Sequence, residues 1–151
     1  MFPHKLQNQR LVPPKRRGEI AEAAFLNRAI RLGLAVAQPW GDSERYDFIV
    51  NTGSRFWRVQ VKSSSQRSHG KYGYSFKSYS QGRENQRELY TEDQIDILAA
   101  YIVPEDVWFI LPIEILESRL NFSLYPDNRG IGPIPDSYRE AWSVFTDDKS
   151  S

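Results

Sequence analysis

Residues 55–64 read RFWRVQVKSS, and the reading of that stretch decides the fold. Side chains alternate along a strand, so Trp57, Val59 and Val61 point to one face and Phe56, Arg58, Gln60 and Lys62 to the other. Gln60 and Lys62 then stand roughly 7 Å apart along the strand. An amide and an ammonium side by side suit either a solvated sheet surface or half of a metal-dependent site. Just upstream, YDFIV (46–50) is a second apolar run, and NTGS (51–54) supplies turn residues between the two, so a β-hairpin is expected. With NTGS as a four-residue loop, Val50 pairs with Arg55 and Asp47 lies opposite Arg58. Asp47 is then a diagonal neighbour of Gln60 on the same face, roughly 7–8 Å away. An Asp47–Arg58 pair beside solvated Gln60 and Lys62 is the plainer outcome of the same pattern.

Further toward the N-terminus, the pattern predicts a helix from Gly18 to Leu32, stopped by Gly33. At 100° per residue, Phe25, Leu26 and Ala29 share its apolar face, and Glu22 falls in the middle of that face. A carboxylate buried there alone would cost several kcal/mol, so Glu22 must reach a cleft, a cation or solvent. LAVAQPW (34–40) reads as a strand broken at Pro39. Beyond the hairpin, residues 63–90 are polar, with KYGYSFKSY (71–79) a strand or a long ordered loop. TEDQ (91–94) is a capping box for a short helical turn. ILAAYIV (97–103) and VWFILPI (107–113), joined by PED, suggest two buried strands. SYRE (137–140) is a second capping box, opening a short helix anchored by Trp142 and Phe145. This order of elements predicts an α/β or α+β domain over residues 18–145, after a basic flexible arm (1–17) and before a disordered tail (146–151).

Composition narrows the chemistry. At 151 residues the chain fits a single domain with a real core. There is no cysteine and there are only two histidines, His4 and His69, which argues against zinc centres and serine–histidine triads. His69 reads as a loop residue. No apolar run approaches the ~18 residues of a membrane span, and the N-terminus lacks the apolar core of a secretory signal, so a cytoplasmic protein is expected. The net charge is +1, but residues 1–90 hold 16 Lys/Arg against 7 Asp/Glu, whereas residues 91–151 hold 4 against 12. That asymmetry suits one face that meets a polyanion, or two halves that neutralise each other.

GEIAE (18–22), ERYDFIV (44–50) and WRVQVKS (57–63), in that order, resemble the PD-(D/E)xK nuclease superfamily, and TEDQIDILAAYIVPEDVWFILPI (91–113) resembles its later strands. The final motif is Gln60-Val61-Lys62, similar to the QxK variant of bacterial group I intron homing endonucleases. Tyr46 stands where the family usually has proline before the aspartate, and Gln60 replaces the usual second carboxylate. The resemblance implies a restriction-endonuclease-like core, a central mixed sheet of four to six strands flanked by helices. It implies catalytic roles for Glu22, Asp47, Gln60 and Lys62, and Mg²⁺ (or Mn²⁺) held by Asp47, Glu22, the Gln60 side-chain oxygen and the Val61 carbonyl. Lys62 is expected to stay charged beside two carboxylates, orienting water and stabilising the phosphorane rather than acting as base. The substrate implied is double-stranded DNA, cut to 3′-hydroxyl and 5′-phosphate ends by a dimer or tetramer. Candidate DNA contacts are Lys15, Arg16, Arg17, Ser63, Ser64, Arg67, Lys71, Lys77, Arg83 and Arg87. An inactive DNA-binding protein and a junction-resolvase-like enzyme are the alternatives on the same fold.

Overall fold

Among the described residues one α-helix and nine strands follow in order: α1 (Pro14–Arg31), β1 (Ala35–Ala37), β2 (Phe48–Asn51), β3 (Phe56–Ser64), β4 (Tyr74–Lys77), β5 (Tyr79–Gln81), β6 (Arg87–Leu89), β7 (Ile97–Ile102), β8 (Val107–Pro112) and β9 (Asn121–Leu124). The computed structural model describes residues 12–67, 73–116, 118–127 and 132–146; residues 1–11 of the expected arm and 147–151 of the expected tail lie outside them. No helix among the described residues is long and apolar enough to cross a membrane.

The central sheet has the order β1-β2-β3-β7-β8. Only β3 and β7 pair in parallel; the other neighbours are antiparallel, so the sheet is mixed. Strand β7 is buried throughout. Ile97, Ala99 and Tyr101 enter one core, and Leu98, Ala100 and Ile102 enter another on the opposite face. A strand covered on both sides needs no polar alternation, which is why this segment reads as an unbroken apolar run. On the first face α1 packs through Ala21, Phe25 and Ala29. Phe25 stacks on Phe48 at 5.2 Å between centroids and meets Trp108 edge-on at 5.7 Å. The second face is covered by the β4–β9 ribbon, where Phe76 stacks on Phe122 at 5.4 Å, rather than by a helix.

Three local expectations change. First, α1 begins at Pro14, not Gly18, so Lys15, Arg16 and Arg17 form its first turn instead of belonging to an arm. Proline breaks a helix interior but is well suited to the first helical position, where its missing N–H has no partner to lose. Second, the hairpin pairs Asn51 with Phe56 and Phe48 with Val59, so the loop is 52–55 and Arg58 faces Ile49. Its turn uses Asn51 Oδ1 as acceptor for the Gly53 N–H at 2.8 Å, with Gly53 at φ +91°, which favours glycine. The register moves by two residues and not one, so every side chain keeps its face, and Asp47, just before β2, meets β3 at the Val59 carbonyl and the Val61 N–H on either side of Gln60. Third, Ser137–Glu140 forms no capping box. Glu140 instead accepts from the Trp108 N–H, the Trp142 indole and the Arg28 guanidinium, and Trp142–Phe145 is a single 3-10 turn. TEDQ is closer to expectation: the Gln94 side chain reaches back to the Thr91 N–H at 3.3 Å.

Candidate active site

The first half of α1, the entry to β2, the middle of β3 and strand β4 enclose a cleft of about 720 Å³. Glu22 reaches it because it follows buried Ala21 and lies one turn before Phe25, whose packing presses that part of α1 onto the sheet. Asp47 reaches it from the approach to β2. Its N–H donates to the Val59 carbonyl at 2.8 Å, and its Oδ2 accepts from the Val61 N–H, also at 2.8 Å. Gln60, Val61 and Lys62 come from β3, so all five residues assigned to catalysis or metal line one cleft.

Its electrostatics are unusual for paired carboxylates. Burial, followed by the charge and hydrogen bond of Asp47 and the charge of Glu19, pushes Glu22 up to about 6. Burial also raises Asp47, although the Val61 N–H, the Lys62 charge and the Glu22 hydrogen bond pull the other way. Both carboxyls are thus held above their ordinary values, with burial the largest cause for each. At Lys62 burial lowers the pKa and outweighs the attraction of Asp47, with Lys77 adding to the lowering. The carboxylates do not dominate because the ammonium itself is desolvated.

A hard divalent cation fits this donor set. Mg²⁺ needs oxygen ligands from one or two carboxylates, with water and phosphate completing its shell. Glu22 and Asp47 supply two carboxylates whose mutual repulsion a cation would relieve. The Gln60 amide Nε2 donates to the Val61 carbonyl at 3.3 Å; a half-turn of that amide sets Oε1 beside the carbonyl, giving two neutral oxygens. Among the described residues no three His, Cys, Asp or Glu side chains cluster.

The expected DNA-contacting residues divide. Arg17, Ser63, Ser64 and Lys77 line the same cleft. Lys15 and Arg16 are exposed on the first turn of α1, Arg16 pairing with Glu19 at 3.0 Å. Arg67 lies 3.8 Å from Glu105 and over the Tyr74 ring. Arg87 is exposed on β6, its guanidinium 5.3 Å from the Tyr79 ring centroid. Lys71 and His69 lie outside the described residues, as does the side chain of Arg83. Sequence reasoning missed Arg45, Tyr79 and Tyr90. Arg45 donates to Ser80 and Glu88, and Lys62 Nζ lies over the Tyr90 ring while donating to the Tyr79 carbonyl. Tyr79 and Tyr90 are revealed only by their places at the β5–β6 ribbon, and Arg45 by its contacts with it.

The model of the PD-(D/E)XK endonuclease family matches residues 12–129. Among solved structures, a bacterial homing endonuclease, I-Ssp6803I, superposes with a TM-score of 0.77 at 28% identity, over 89% of this chain and 94% of that one. The crystal structure of MepB aligns at a TM-score of 0.45 and 16% identity, over 72% of this chain and 85% of that one. No curated protein sequence matches the chain.

Proposed function

The chain belongs to the PD-(D/E)XK endonucleases, and on that premise we propose that it is a Mg²⁺-dependent, sequence-specific endodeoxyribonuclease of the homing type. One observation carries the reading: Glu22, Asp47, Gln60 and Lys62, distant in sequence, open into a single cleft together with Arg17 and Lys77. Glu22, Asp47, the Gln60 side-chain oxygen and the Val61 carbonyl are the groups that would hold the ion. When bound, it would neutralise charge on the scissile phosphate and make a bound water more acidic.

The chain's own residues supply the rest. Arg17 and Lys77 set positive charge where the DNA backbone would enter, and Ser63 and Ser64 offer hydroxyls to phosphate oxygens. Lys62 directs its ammonium toward the charge that builds on phosphorus as water attacks in line. Cutting both strands needs two sites, so a homodimer or tetramer acting on cytoplasmic duplex DNA completes the reading.

The Gln60 hydrogen bond to Val61 favours a second reading, a DNA-binding protein without catalysis, because it occupies an oxygen the ion would need. Incubation with supercoiled plasmid and with a randomised duplex pool, in Mg²⁺, Mn²⁺ or EDTA, separates the two. Metal-dependent cuts that vanish in Asp47→Ala support the enzyme. Tight duplex binding with no cleavage across the pool and no Mn²⁺ binding by electron paramagnetic resonance supports the alternative. Cuts confined to four-way junctions would point to a resolvase.

A further inference from the structure

Lys62 meets the cleft with its back against a ribbon. Its Nζ donates to the Tyr79 carbonyl at 3.3 Å and lies 5.3 Å from the centroid of the Tyr90 ring. Tyr79 opens β5, and Tyr90 follows β6 directly, its N–H donating to the Ser78 carbonyl at 3.3 Å. Both contacts therefore come from the base of one hairpin, in which Tyr79 pairs with Leu89 and Gln81 with Arg87. Tyr90 is 9% exposed, and neither tyrosine lines the cleft.

The same hairpin is tied to the aspartate's side of the site. Arg45, two residues before Asp47, donates to Ser80 and to the Glu88 carboxylate, which are cross-strand partners. Glu88 turns back across Gly82, where an added Cβ would collide with its carboxylate. On its other side the hairpin exposes Arg87, whose guanidinium lies 5.3 Å from the Tyr79 ring, with Lys77 Nζ 5.8 Å from that ring. One ribbon thus contacts the catalytic lysine, the segment entering the catalytic aspartate and two cations of the cleft's surroundings.

A lysine has four side-chain torsions and would sample many positions in an open cleft. An aromatic face within about 6 Å attracts an ammonium, more so when water is excluded. A single carbonyl acceptor then fixes its direction. We propose that Tyr90 is a positioning residue that seats Lys62, so that the β5–β6 ribbon links engagement of the DNA backbone to placement of the lysine; this rests on the endonuclease reading above.

The test compares Tyr90→Phe, which keeps the ring and loses the hydroxyl, with Tyr90→Leu, which loses both. In protein labelled with ¹³C-lysine, the Lys62 Hε resonance is identified by its loss in Lys62→Arg. It is expected upfield, shifted by the ring current, in the wild type and in Tyr90→Phe, and at the position of a solvated lysine in Tyr90→Leu. In single-turnover cleavage of a duplex selected by the wild type, Tyr90→Leu is expected to lose about tenfold or more in rate with Kd within about twofold, and Tyr90→Phe to restore the rate. If Tyr90→Leu does not fold, Tyr90→Met serves, since its flexible thioether fills space without a ring current. An unshifted Lys62 in the wild type, a Tyr90→Phe protein as slow as Tyr90→Leu, or a Kd that weakens in step with the rate overturns the proposal. If the wild type cuts nothing, the endonuclease reading fails, while the lysine resonances still decide whether Tyr90 seats Lys62.

Discussion

Arg58 and Lys62 occupy the same face of β3, four residues apart, and the protein treats their charges in opposite ways. Arg58 is saturated. Its Nε and a terminal nitrogen grip both oxygens of Asp96 at 3.1 and 3.0 Å, its backbone N–H donates to the same carboxylate, and its remaining donors reach the carbonyls of Asp93 and Glu92. Burial pushes Asp96 up, but the hydrogen bonds from Arg58 and the charges of Arg58 and Arg55 bring it below the usual carboxylate range. Around Lys62 nothing balances so well. Burial raises both carboxyls and lowers the ammonium's pKa, and an amide stands where a third charge would help. A charge matched by a bidentate partner is a clamp between strands. Charges left frustrated beside a cleft await something the chain does not contain.

The strongest way to break that contrast is Asp47→Asn. Cleavage should fall about a thousandfold, as for loss of a group that stabilises the transition state. Thermal melting should show an unchanged or higher Tm, because burial disfavours the ionised carboxylate in the folded protein. Phe25→Ala acts through the packing that sets Glu22. It should cost ~3–5 kcal/mol in chemical denaturation, from the cavity left between α1, Phe48 and Trp108.

On the clamp side, Asp96→Asn should cost ~1–3 kcal/mol at neutral pH and leave cleavage at permissive temperature intact. The sign of its pH dependence follows from a folded pKa depressed below the unfolded one. The stabilisation is complete above the unfolded value of about 3.9 and is lost as pH falls through the folded value. Denaturation curves of wild type and variant should therefore separate at pH 7 and converge in strong acid. The smallest effects belong to Arg17→Ala and Lys77→Ala. Each should weaken duplex binding evenly across sequences and reduce the slope of log K against log salt by about one, with melting unchanged.

Much of the geometry of the candidate site was legible because its signals are local. Alternation in β3 fixed the faces, and the out-of-place Glu22 marked the helix edge that meets the cleft. The hairpin register was misjudged by two residues, yet the error was harmless, since the face repeats every two. Other features depend on residues far along the chain. Asp96 takes Arg58 from 38 positions away, which the sequence assigned to Asp47 or solvent. Glu140 looked like a helix cap until Trp108 and Arg28 came within reach from other elements. Tyr90 was one tyrosine among several in a polar stretch, and only the return of β6 beside β5 places it under Lys62. The helix start differs for another reason: Pro14 occupies the first helical position, where its missing N–H costs nothing.

The parallel step between β3 and β7 has a consequence for how such a protein can change. Side-by-side strands running the same way oblige the chain to travel back before it can resume, and residues 65–96 are that journey. The two rails on either side are pinned by six register pairs, so exposed positions of the passenger between them, such as Gln86 and Arg87, can be rewritten without derailing the sheet, whereas Phe76, Tyr90, Ile95 and Asp96 cannot. Variation is therefore cheapest on the outward side of the excursion.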